Sequence, residues 1–357
     1  MTNANAKPTT TSLVPTWFMA IVATPIIIAL LYYGRDFLIP IAIALLLFIL
    51  TTALIDGIDS MKIGNWSPPR FIARTIGIGS VFAGIAAIVL ILSDEAGEIG
   101  EVASRYSARI DSISDRIEQL LGAQMVAALQ RPIADLDIGA WISSLAGGVS
   151  GTVATFALVL LYVAFLISER SDFAAKIPLM ASSRAETEAM EKIMHSIAVA
   201  VKQYMWINAV TSAMSCVVAY VIFRLIGLDF AALLALTVFL VGFIPNIGAF
   251  IGIALPALVA LLQFDSWTPF LIVVFGYGAA DQFIANVIQP AMQGKSLNIS
   301  TFMVMVSLSF WAMIWGGIGA FLAVPMTVIC MIMAAEFPAL RPIAILFSGD
   351  GTIGTQE

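Results

Sequence analysis

The sequence predicts an all-α, polytopic bundle embedded in a membrane, and three observations carry that prediction. Hydrophobic residues make up 60% of the 357 positions and charged residues only 11%, against roughly 25% charged in soluble domains. Apolar runs of the roughly 20 residues that span a hydrocarbon layer of about 30 Å recur along the chain. The charges fall mostly between those runs, in blocks dominated by one sign.

The elements follow in order. Residues 1–16 are polar, rich in Thr and Asn, and hold two prolines, so a disordered tail is expected. Six conventional spans come next: Trp17–Tyr33, Leu38–Ile55, Phe71–Leu92, Val149–Ile167, Met205–Ile226 and Phe270–Ile288. The first is expected to be retained rather than cleaved, since its apolar part is long, only Lys7 precedes it and a second span follows almost at once. Two further apolar stretches, Phe230–Phe264 and Phe302–Ala335, are too long to be ordinary spans. The chain thus divides into residues 17–92 with three spans, 93–148, a fourth span at 149–168, 169–204, a core at 205–336 and a tail at 337–357.

Charge orients these pieces. Lys62, Arg70 and Arg74 make the connection before the third span basic, which places it in the cytoplasm. Residues 93–148 carry nine acids against four arginines and are expected outside. The segment after the fourth span holds Arg170, Lys176, Arg184, Lys192 and Lys202 and returns to the cytoplasm, so both termini are expected inside. The external segment places Ile99, Val102, Tyr106, Ile110, Ile113, Ile117 and Leu120 on one helical stripe. That stripe packs on its own protein or the bilayer surface, or pairs subunits. Ser182 or Ser183 caps a cytoplasmic helix whose first turn holds Glu186 and Glu188.

The core contains an internal repeat. Residues Ile247–Pro256 (IGAFIGIALP) return, shortened by two, as Ile318–Pro325 (IGAFLAVP), displaced by 71 positions. Each copy lies within an overlong run preceded by Leu228-Asp229 or Leu297-Asn298, and each run follows one conventional span. A straight helix of 35 residues would be about 52 Å long, far more than the bilayer core. Breaks are marked at Gly242, Pro245, Asn246 and Gly248 in the first run and at Gly316, Gly317 and Gly319 in the second. The runs are either re-entrant hairpins, which would make the two units inverted repeats with tips at a shared polar site, or tilted full spans giving eight crossings. The two arrangements place residues 293–298 on opposite membrane faces.

Polar groups in apolar surroundings nominate the site. Asp281, Gln282 and Asn286 lie in one span, where a carboxylate costs about 2.5 to 3.5 kcal/mol on insertion scales and usually faces a cavity or a partner. Asp281 suits a proton or a sodium ion, and the amides of Gln282, Asn286 and Asn246 suit the hydroxyls of a polar solute; alternatively the polar groups on the span only tie helices together. Arg224 and Asp229 are expected to pair across a turn, and Lys202, Gln203 and Asn208 to anchor a span at the interface. Cys216 and Cys330 lie in apolar helices without paired spacing, and lone His195 is expected at the surface, so neither a disulfide nor a metal site is expected. No catalytic motif of a zinc protease, serine hydrolase or phosphate-loop enzyme is present, so no enzyme, resident cofactor or nucleic-acid partner is expected.

At these residues the chain resembles the autoinducer-2 exporter family of bacterial membrane proteins. The resemblance is carried by Phe243–Gly252 (FIPNIGAFIG) with Pro256-Ala257, by Gln282 with Asn286 and Pro290, by Gly294, and by Gly316–Gly319 with Ala323–Pro325. Many members carry an acid just before the Asn, where this chain has Ala285; Asp281 stands one turn earlier. The resemblance implies export of a small polar signalling molecule or metabolite across the bacterial inner membrane, sodium/proton exchange in some relatives, and homo-oligomeric assembly. A scaffold or passive pore is the contrasting expectation from another class.

Overall fold

The computed structural model describes residues 16–60, 71–91, 155–169, 178–293, 299–337 and 340–349, with isolated residues Pro69, Asp94, Tyr106, Ala175, Lys176 and Gly351. The N-terminal tail and nearly all of the external stripe lie outside the described residues. Every element among those described is helical: α1 (Thr16–Tyr33), α2 (Arg35–Ser60), α3 (Phe71–Ile91), α4 (Thr155–Ser168), α5 (Arg184–Ile226), α6 (Ala231–Val241), α7 (Ile247–Gln263), α8 (Thr268–Gln293), α9 (Thr301–Glu336) and α10 (Arg341–Phe347). Five of them, α2, α3, α5, α8 and α9, are long and apolar enough to cross a membrane.

Helix α5 is the central rod. Its N-cap is Ser183, whose hydroxyl accepts from Glu186 N, while Glu186 Oε2 accepts in turn from Ser182 N; these bonds use donors that a helix start leaves open. The helix runs unbroken for 43 residues, about 65 Å at 1.5 Å per residue, so the basic segment and the following span form one rod. Gly227, at φ 71°, ends it by returning its N–H to Arg224 O and Phe223 O. Around α5 pack α2, α6, α8 and α9. Helix α2 meets α4 through Ala44, Val159 and Val163, and α3 at Gly77, where a Cβ would stand 2.5 Å from Ile55. A glycine there lets two helices approach closely.

Both overlong runs reverse direction. In the first, Asp229 N donates to Gln263 Oε1 at 2.7 Å, and Gln263 Nε2 donates to Gly227 O at 2.8 Å and Asp229 Oδ1 at 3.0 Å. One side chain therefore ties the two ends of a 35-residue run that a straight helix would hold about 52 Å apart. Asp229 also accepts from Tyr106 at 3.2 Å, so Gln263 and Tyr106 hold the carboxylate that the sequence pairs with Arg224. The turn occupies Gly242–Asn246, and a Cβ on Gly248 would collide with the Val241 carbonyl.

In the second run the reversal is at Gly316 (φ 64°, ψ −144°), a conformation that L residues rarely adopt. Trp311 Nε1 donates to Thr327 Oγ1 at 3.2 Å across the two arms, and a Cβ on Gly319 would collide with the Trp311 carbonyl. Tilted, unbroken spans are incompatible with these contacts. Residues 337–357, expected as a tail, contain α10, which starts with Pro342 in its first turn and packs on α9.

Helices α5 and α8 run antiparallel. Asn208 faces Gln289, Ser215 faces Asp281 and Phe223 faces Tyr277, so one number rises as the other falls. The first hairpin closes beside the Gly227 end of α5. The second begins just past Gln293, at the opposite end of the pair.

Candidate functional site

Between α5, α8 and the tip of the first hairpin lies a cavity of about 320 Å³. Helix α5 contributes Tyr204, Asn208, the adjacent Thr211 and Ser212, and Ser215, which recur every three or four residues and form one stripe. The hairpin contributes Val238, Gly242, Pro245, Asn246 and Gly248, and the start of the second hairpin closes the cavity with Ile299, Thr301 and Val304.

Helix α8 supplies Tyr277, Asp281, Ala285 and Gln289. Steps of four residues drift roughly 40° per step around a regular α-helix. Here two π-helical turns, Ile272–Tyr277 and Ile284–Ile288, flank Asp281 and widen the helix, which offsets the drift and keeps all four residues on the cavity. The second π turn ends two residues before Pro290, which has no N–H to continue the α ladder.

Asp281 is buried and accepts two hydrogen bonds on Oδ1, from Ser215 Oγ at 2.7 Å and Tyr277 OH at 3.3 Å. Its other oxygen bonds none of the described residues, and it is the one carboxylate among the described residues lining the cavity. Asn208 donates to Tyr204 O at 2.9 Å and accepts from Gln289 Nε2 at 3.3 Å. Ser212, only 3% exposed, bonds none of the described residues, and a Cβ on Gly242 would stand 2.5 Å from its oxygen. A buried hydroxyl without a partner is costly. Asn246 sits at φ 61°, strained for a non-glycine residue, and makes no side-chain cap bond to α7, so its amide stays available.

Of the residues nominated from sequence, Asn246 and Asp281 meet at this cavity, as do Gly242, Pro245 and Gly248. Gln282 and Asn286 do not: they lie on the exposed face of α8 and bond each other, Asn286 Nδ2 donating to Gln282 Oε1 at 2.8 Å. Gly316, Gly317 and Gly319 turn the second hairpin elsewhere, where Trp315 Nε1 donates to Leu31 O at 2.9 Å. Thus the two tips do not share the polar cavity; they touch through Phe243 and Phe321, ring centres 4.8 Å apart. Asn208, read from sequence as an interfacial anchor, is a wall of the cavity, while Lys202 pairs with Asp56 of α2. The stripe of Asn208, Thr211, Ser212 and Ser215 was the overlooked signal, four small polar residues on one face of an apolar span.

The model of the AI-2E family transporter matches residues 19–339. The chain belongs to the AI-2E transporter family. It is 24% identical over 330 residues to the AI-2 transport protein TqsA of Escherichia coli K12, covering 90% of this chain and 92% of that protein. A Haemophilus influenzae protein whose name proposes transport is 25% identical over 335 residues, covering 92% and 94%. The Escherichia coli K12 protein YhhT, also named for a proposed transport role, is 23% identical over 90% of each chain. This AI-2E family member is a multi-pass membrane transport protein, in contact with the lipid bilayer.

Proposed function

We propose that this chain is a secondary active exporter of a small, uncharged polar solute, with autoinducer-2 the first solute to test. The observation that carries the proposal is the unspent polar groups of one cavity: the Ser212 hydroxyl, the Asn246 amide and the second oxygen of Asp281. The amide and hydroxyl fit the hydroxyls of a polyol, and Asp281 takes the coupling ion, a proton or sodium. The name of the TqsA relative supports the solute, which for this chain rests on that likeness.

In this reading the two hairpins are re-entrant and belong to inverted repeats, a transporter arrangement. The antiparallel α5 and α8, with hairpins opening at opposite ends, support it. Both termini lie in the cytoplasm, as the basic segments favour. The protein assembles as a homo-oligomer, in which a neighbouring copy covers the exposed Gln282–Asn286 amide pair.

Inside-out vesicles test the class. Autoinducer-2 is expected to accumulate above its outside concentration under an imposed proton or sodium gradient, and Asp281→Asn to abolish the accumulation. Equilibration without accumulation would make the protein a passive pore, and no flux of any solute would leave the scaffold reading.

A further inference from the structure

A second cavity, also about 320 Å³, lies between the arms of the second hairpin and α10, away from the polar site. Its wall is apolar, formed chiefly by Phe310, Met331, Ala334, Ile343 and Phe347. Two of its polar groups are already spent: Trp311 Nε1 donates to Thr327 Oγ1, which itself donates to Ala323 O at 2.7 Å. The third is not. Ser307 is 5% exposed, lines the cavity and bonds none of the described residues, not even a carbonyl of the preceding helical turn.

The geometry points to a binding site for a single acyl chain that carries a carbonyl or carboxyl oxygen, with Ser307 donating to that oxygen. The wall excludes a polar solute, because its donors and acceptors would find one partner and otherwise hydrocarbon. The orphaned hydroxyl excludes a plain hydrocarbon as the best occupant, since that would leave a buried donor unmade. Size excludes a whole phospholipid: a cavity of about 150 Å³ takes benzene, so about twice that volume holds about a dozen non-hydrogen atoms. Such molecules are available to a membrane protein, and Cys330, which lines the same cavity and is exposed, marks its opening.

Bound there, the chain would wedge the two arms and α10 together and couple the second hairpin to the acyl composition around it. The site is independent of the transport reading and stands or falls separately.

Cys330 supplies the test. The chain has two cysteines, so Cys216→Ala leaves one thiol, at the cavity. In nanodiscs, saturating decanoic acid is expected to slow maleimide labelling of Cys330 at least fivefold, and decane clearly less. Ala334→Phe, which fills the cavity, is expected to remove the protection in protein that still elutes as a single species. Ser307→Ala is expected to erase the advantage of decanoic acid over decane while leaving the decane effect. Unchanged labelling with decanoic acid, or protection that survives Ala334→Phe, overturns the site. An advantage for decanoic acid that survives Ser307→Ala overturns the role of the hydroxyl.

Discussion

Asp281 keeps one carboxyl oxygen open within an apolar helix. Ser215 and Tyr277 both donate to Oδ1, fixing the carboxyl against α5 while the other oxygen stays open. Asn at this position keeps an acceptor for Ser215 and removes the charge, so Asp281→Asn is expected to fold and to lose coupling. Ser212 contributes an unspent hydroxyl instead of a charge. Its removal in Ser212→Ala is expected to raise the KM for the solute by about tenfold, the equivalent of about 1.4 kcal/mol for one hydrogen bond, with little change in kcat. Measured the same way, Gln282→Ala is expected to leave KM unchanged, because Gln282 faces away from the cavity. Asn246 and Asp281 were legible in the sequence because an amide in a helix break and a lone acid in a span each stand out. Gln282 was misplaced because adjacent residues on a helix point about 100° apart, and no pattern in α8 says which of two neighbouring polar residues faces inward.

At the scale of elements, two glycines allow the hairpins to close. Gly248 and Gly319 occupy equivalent positions in the repeat, and at each a Cβ would strike a carbonyl of the opposite arm, Val241 or Trp311. Overpacking of this kind costs about 1 to 3 kcal/mol. Gly248→Ala and Gly319→Ala are each expected to lower the thermal midpoint by several degrees. Gly84→Ala on α3, where a Cβ meets nothing within 4 Å, is expected to leave it unchanged or slightly raised. The breaks themselves were legible, because a run too long for the bilayer has to bend where glycine and proline cluster. The choice of hairpin over tilted span was not. It rests on Gln263 reaching back to Gly227 and Asp229, a contact across 34 to 36 positions that no local pattern encodes. The π turns of α8 are equally silent in sequence apart from Pro290.

At the scale of the whole molecule, an antiparallel pair of long helices carries one hairpin at each end, and the polar cavity lies between the pair and one tip. Composition alone made the membrane assignment, since 11% charge cannot clothe a soluble protein of this size. The sidedness proposed above rests on the same charges. A cysteine at Lys295, between α8 and α9, is expected to react with an impermeant thiol reagent only from the cytoplasmic side; labelling from outside would contradict the proposed topology. Helix α10 is not legible in the sequence, because seven residues carry too little periodicity to stand out.

The cavity bounded by Asn246, Ser212 and Asp281 is the proposed path of the solute. Counterflow of labelled autoinducer-2 in proteoliposomes tests it without requiring any gradient. Wild-type protein is expected to exchange the solute, and Asn246→Ala combined with Ser212→Ala to reduce exchange by at least tenfold at equal, correctly inserted protein. Exchange at the wild-type rate in that double variant would place the path elsewhere.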